Sequence, residues 1–102
     1  MTKAEKLFHR IAEEIPKAME GKMFGALCFK APNGKSAAMF WKDAIVVKLE
    51  AKDVKHAMGL KGAQLFDPMG GRPMKEWVQV PFSHSSEWKA LAQKAMKYVV
   101  KK

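Results

Sequence analysis

The sequence predicts an α+β domain with a mainly antiparallel sheet, and three observations carry that reading. Residues 22–49 hold three short apolar runs separated by turn chemistry, the pattern of a three-stranded meander. Both ends of the chain carry apolar residues at helical spacing. No helical pattern interrupts the meander, which argues for hairpins rather than a parallel sheet. The order reads helix, three strands, helix, two strands, helix. It predicts a two-layer fold in which the terminal helices pack on a five-stranded sheet.

Thr2-Lys3-Ala4-Glu5 is a capping-box pattern and starts the first helix. Ala4, Leu7, Phe8, Ile11, Ala12 and Ile15 then fall on one face. Pro16 ends or kinks this helix near Ile15, and Gly21 closes the segment. His9 flanks the apolar face, the place of a boundary residue.

In the meander, Asn33-Gly34 suits a two-residue type I′ turn, which needs φ > 0 at both positions. That turn sets Pro32 opposite Lys35 and Phe29 opposite Ala38. Lys42-Asp43 as a second two-residue turn sets Phe40 opposite Ile45 and Ala38 opposite Val47. Cross-strand partners share a face and side chains alternate along each strand. The two turns agree on one charge-free face: Leu27, Phe29, Ala38, Phe40, Ile45, Val47 and Leu49. This face is the expected core. The other face carries Ala26, Cys28, Lys30, Ala37, Met39, Trp41, Val46 and Lys48.

Ala51 to Met58 reads as a short helix with Gly59 at its C-cap. Ala63–Phe66 is a short strand. Asp67–Pro73 holds two prolines and two glycines and must be a loop. Met74–Val80 alternates as a strand, and Pro81 stops it. Ser83, Ser85 and Ser86 offer N-caps for the last helix. Along that helix Trp88, Leu91, Ala92, Ala95, Met96 and Val99 share one face.

A chain of 102 residues is expected to form one domain, residues 1–102, and to bury roughly two thirds of its unfolded surface. No apolar run reaches the ~20 residues that span a bilayer, and no signal-peptide core is present. A single cysteine cannot form an internal disulfide, which points to a cytoplasmic chain. The net charge is +9 and the pI about 9.8, so an anionic partner is allowed. The lysines are scattered, however, and Arg10 and Arg72 are the only arginines. Solvation of the surface explains that distribution at least as well as nucleic acid does.

No catalytic constellation emerges. His9, His56 and His84 lie far apart in sequence without metal-ligand spacing. Cys28 sits mid-strand, where a cysteine is usually a small buried apolar residue. Lys30 and Lys48 share its face, but nothing supplies a base, so a Cys28-based activity is the minor reading. Neither a cofactor nor a metal is implied. The loop at Gly70, Gly71 and Arg72, with Lys75 beyond it, has exposed N–H groups and cations that suit an anion. It lacks the Gly-Lys-Ser/Thr of a phosphate loop, and a plain hairpin loop accounts for its composition. On the mixed sheet face, Met39, Trp41 and Val46 with Lys30 and Lys48 at the rim form a candidate partner-binding patch, since aromatics and Met favour interfaces. A helix covering that face is the structural alternative.

Several segments together resemble a known family. They are Lys22-Met23-Phe24-Gly25; Trp41-Lys42-Asp43 leading into Ile45-Val46-Val47-Lys48-Leu49; Phe66 before a Pro/Gly/Arg loop; Met74-Lys75-Glu76-Trp77-Val78-Gln79-Val80-Pro81; and a closing helix with Trp88. The set resembles the TfoX/Sxy N-terminal-domain family over about Leu7 to Val99. The resemblance implies a two-layer α+β fold with a curved antiparallel sheet, and kinship with competence regulators that act with a DNA-bound transcription activator. It implies no catalytic residues, cofactor or ligand. Ala26 stands where the family commonly has glycine. The chain stops at Lys102, without the second, helical domain of the full-length regulators.

The expected function is a non-enzymatic interaction module that binds a protein partner, with the transcription machinery as the partner the resemblance suggests. The alternative is direct nucleic-acid binding through the lysine-rich surface. Either a monomer or a homodimer fits.

Overall fold

A computed structural model describes residues 2–23, 26–67, 71 and 74–101. Among these residues, three helices and a six-stranded antiparallel sheet make up the fold. Helix α1 (Lys3–Glu14) leads into β1 (Met19–Met23), β2 (Ala26–Lys30), β3 (Ser36–Trp41) and β4 (Ala44–Lys48). Helix α2 (Ala51–Met58), β5 (Gln64–Phe66), β6 (Met74–Pro81) and α3 (Ser85–Val100) follow. The sheet order is β1-β2-β3-β4-β6-β5.

The expected class is what forms, but the sheet has one strand more than expected. Met19–Met23 pairs with β2 as an edge strand, Met19 opposite Lys30 and Met23 opposite Ala26. Its sequence, Met-Glu-Gly-Lys-Met, has weak strand propensity, so pairing with β2 rather than local preference holds it.

Thr2 caps α1 as its sequence pattern requires: Thr2 Oγ1 accepts from the Glu5 N–H at 3.1 Å. Caps of this kind are worth about 1 kcal/mol. The cap also reaches across the fold, because Thr2 Oγ1 donates to Asp43 Oδ1 at 3.1 Å. Gly59 does cap α2, but in the right-handed region at φ −74°; the left-handed glycine is Gly62, three residues later, at φ 91°. The serines before α3 provide no side-chain cap. A 3-10 turn at Phe82–His84 runs directly into the helix instead.

The Lys42-Asp43 turn has both residues at positive φ, 48° and 60°, as a type I′ turn demands. The Asn33-Gly34 turn departs from expectation. Only Gly34 has positive φ, at 82°. The Gly34 N–H donates to the Ala31 carbonyl at 2.9 Å, and the Ala31 N–H to the Lys35 carbonyl at 2.9 Å. The loop is therefore three residues, Pro32–Gly34: Pro32 occupies the position of a β-turn that its fixed φ suits, and Gly34 supplies the left-handed residue that follows.

That extra loop residue would shift the register by one, yet Phe29 still faces Ala38. A β-bulge between Phe29 and Lys30 on one side and Ser36 to Ala38 on the other absorbs the shift. Ala37 is the additional residue, and it turns into the first core instead of staying on the mixed face.

That first core lies between the sheet and helices α1 and α3. It holds Phe8, Ile11, Phe29, Ala38, Ile45, Val47, Leu49, Val78, Val80, Trp88, Leu91 and Val99, all buried. The predicted apolar face of α3 is buried at every named position. The Trp88 indole N–H finds its acceptor at the Pro81 carbonyl, 3.1 Å away, so the largest core side chain leaves no polar atom unpaired.

Candidate functional site

The second face of the sheet is a smaller core. Cys28, Met39 and Val46 are fully buried there, together with Phe66 from β5 and Trp77 from β6. Adjacent strands lie about 4.8 Å apart, so a flat sheet would hold β3 and β5 about 14 Å from each other. The Trp41 and Phe66 rings nonetheless meet edge to face with centroids 5.4 Å apart. The sheet is therefore curved, and β5 pairs irregularly at Leu65/Phe66, where the partner moves from Val78 to Met74.

This arrangement corrects the expected contact patch. Met39 and Val46 are both at 0% exposure and present nothing to a partner. Among the described residues no helix packs on them; they pack against Phe66 and Trp77, which come from beyond the meander. Trp41 is half-buried and sits at the margin of the cluster. The Lys42 ammonium lies 5.8 Å from its ring centroid. Lys48 lies 5.9 Å from the Trp77 ring and 4.0 Å from Glu76. Lys30 is half-buried on the same face, opposite Met19.

Met19 was missed by sequence reasoning. It is 59% exposed, and its pairing with Lys30 puts it on the second face. The alternation Met19, Gly21, Met23 was the available signal, but it is too short and too glycine-rich to stand against a helix ending nearby.

The proposed anion loop is only partly described. Gly70 and Arg72 lie outside the described residues. The Gly71 N–H donates to Asp67 Oδ1 at 3.1 Å, so that donor already serves a carboxylate. Lys75 is exposed on β6.

Cys28 is enclosed within the second cluster, with no exposed surface. Among the described residues, no group of three or more His, Cys, Asp or Glu side chains converges as a metal site. His9 instead bridges elements: its Nδ1 is 2.5 Å from Glu20 Oε1 on β1, and its Nε2 is 3.9 Å from Glu5 one turn earlier on α1. At the opposite end of the sheet, the Tyr98 hydroxyl donates to the Glu76 carboxylate, joining α3 to β6. Both arrangements tie helices to strands. No helix among the described residues is long and apolar enough to cross a membrane.

No family model matches the chain, and no curated protein matches it.

Proposed function

We propose that this chain is a non-enzymatic interaction module of the TfoX/Sxy N-terminal type that docks a protein partner through the second face of its sheet. The observation that supports this most is the setting of Trp41. A partly exposed tryptophan stands on a buried platform of Met39, Val46 and Phe66, with Lys42 against its ring and Lys30 and Lys48 on the same face. A rigidly backed aromatic with cations around it is the composition of a binding hot spot. Met19 extends the apolar surface toward the β1 edge. The lysines favour a partner with acidic residues around an apolar contact, and the family resemblance suggests the transcription machinery as its source.

The test is capture of a partner from lysate of the native host by immobilised protein, comparing wild type with Trp41→Glu and with Lys42→Glu/Lys48→Glu. Circular dichroism establishes that each variant is folded. A specific band lost in both variants is the expected outcome. The lysine pair matters because Trp41 also packs on Phe66, so its replacement costs about 1 kcal/mol of stability as well. A band retained by the folded lysine double variant and the folded tryptophan variant alike rules out this face.

Direct nucleic-acid binding draws support from the net charge of +9. Asp67 weighs against the Gly71 loop as its site, because it places a carboxylate where a phosphate would sit.

A further inference from the structure

On the helix side of the sheet, away from Trp41, an open groove of about 580 Å³ lies at the C-terminal end of α3. Three separate segments build it: the turn after α1, the β2–β3 loop and the last turns of α3. Its apolar surface comes from Pro16, Pro32, Met96 and Val100. Val100 is 55% exposed, one of the few large apolar side chains the fold leaves in water. Its neighbour Val99 is fully buried, so Val100 is not needed to hold the helix down.

Lys17, Lys97 and Lys101 surround this surface, and among the described residues no carboxylate lines it. Elsewhere on α3 the lysines are answered: Lys89 lies 3.2 Å from Glu14, and Lys94 lies 3.7 Å from Asp53. Among the described residues no carboxylate pairs with Lys17, Lys97 or Lys101. The helix dipole favours Lys97 and Lys101 near a C-terminus, but it does not account for Lys17. Lys17 comes from another segment and holds a left-handed backbone at φ 68°, a conformation that glycine would adopt at less cost.

The walls are also fixed in advance. The Asn33 side-chain amide donates to the Val99 carbonyl at 3.0 Å, joining the β2–β3 loop to the helix end. A preformed groove loses less free energy to ordering when a ligand arrives.

We infer that this groove binds a short acidic peptide segment of a partner protein, seating an apolar side chain between Pro16, Pro32 and Val100 while its carboxylates meet Lys17, Lys97 and Lys101. The charge complementarity specifies an anion, and the aliphatic surface specifies an apolar anchor. Single-stranded nucleic acid fits less well, because among the described residues no aromatic ring lines the groove for a base to stack on. An enclosed lipid chain fits less well too, because Pro16, Pro32 and Val100 are exposed and the groove does not close over its contents. This surface is independent of the Trp41 face, and its test does not depend on that reading.

The probe is a short fluorescent peptide of alternating glutamate and leucine, titrated by anisotropy, with amide chemical shifts locating the contact. Two controls accompany it: a glutamate–serine peptide of the same charge, and a lysine–leucine peptide of the same apolar content. The expected result is saturable binding of the glutamate–leucine peptide alone, with shifts centred on Lys17, Asn33, Lys97 and Lys101. Lys97→Glu/Lys101→Glu should weaken it by about tenfold or more, the loss of two charge contacts, and Val100→Ser should weaken it as well. All three positions are exposed, so these variants should keep the wild-type circular dichroism. Trp41→Glu should leave the affinity unchanged. No binding, equal binding of the glutamate–serine peptide, or insensitivity to the lysine double variant would each overturn the inference. So would displacement of the peptide by single-stranded DNA or dodecanoate at lower concentration than by unlabelled peptide. Self-association that blocks the peptide would assign the groove to a second copy of the chain instead.

Discussion

Asn33 makes two contacts with one side chain. Its Oδ1 accepts from the Lys35 N–H at 3.1 Å, which shapes the β2–β3 loop, and its Nδ2 donates to the Val99 carbonyl at 3.0 Å, which anchors the loop to α3. The residue was legible in the sequence as a turn former, but for a different turn. Asn-Gly strongly suggests a two-residue loop, and Pro32 just before it shifts the turn back by one place. The bond to Val99 spans 66 residues and has no local signal at all. Replacing Asn33 with Ala should lower stability by about 1–2 kcal/mol, the worth of two hydrogen bonds of which one is part-buried. Urea unfolding measures this directly. Asn33→Asp keeps the acceptor for Lys35 and loses the donor to Val99, so it should retain loop geometry while loosening the helix end. If Asn33→Asp is as stable as wild type, the Val99 bond contributes nothing.

At the scale of elements, the meander shows how a correct register was read from an incorrect turn. A two-residue loop with no bulge and a three-residue loop with one bulge place Phe29 opposite the same residue, Ala38. The pattern of apolar residues reports which side chains share a face, and that is common to both solutions. It does not report how the chain arrives there. The illegible parts were those with a weak local signal or with distant partners: β1, whose glycine and charges hide a strand that pairs with its neighbour β2, and the second core, whose Phe66 and Trp77 come from strands far along the sequence. The candidate site suffered for the same reason. Trp41 stayed at the surface, whereas Met39 and Val46 disappeared under side chains that periodicity within the meander could not place. The bulge makes a specific prediction. Deleting Ala37 leaves Lys30 paired with Ser36 and Phe29 with Ala38, so every side chain beyond the deletion keeps its face. That variant should fold with a loss of about 1–3 kcal/mol, the range for a local core defect. Deleting Met39 instead exchanges the faces at the end of β3 and should prevent cooperative folding. Thermal melts of the two deletions decide the matter, and equal damage from both would mean the bulge does not set the register.

For the whole molecule, the governing quantity is charge in a small volume. A net charge of +9 is confined to principal extents of 32 × 30 × 25 Å. The ion pairs that offset it sit at the surface, with separations such as 3.2 Å for Lys89–Glu14 and 3.8 Å for Lys52–Glu50, and exposed pairs of this kind contribute little. Repulsion among the remaining lysines opposes the compact state. At ~0.01 M salt the Debye length is about 30 Å, so lysines on opposite sides of the molecule repel one another. At ~0.15 M it is about 8 Å and only neighbours do. Added sodium chloride over that interval should therefore raise the melting temperature, by about 4–8 °C for each ~1 kcal/mol of repulsion removed. Sulfate is the wrong salt for this measurement, because it stabilises compact states by exclusion regardless of charge. Charge reversal provides the control: Lys22→Glu and Lys55→Glu, both exposed positions, should raise the low-salt melting temperature and flatten its dependence on chloride. A melting temperature that falls as sodium chloride is added would show instead that the surface ion pairs outweigh the repulsion, and that the basic surface costs the fold nothing.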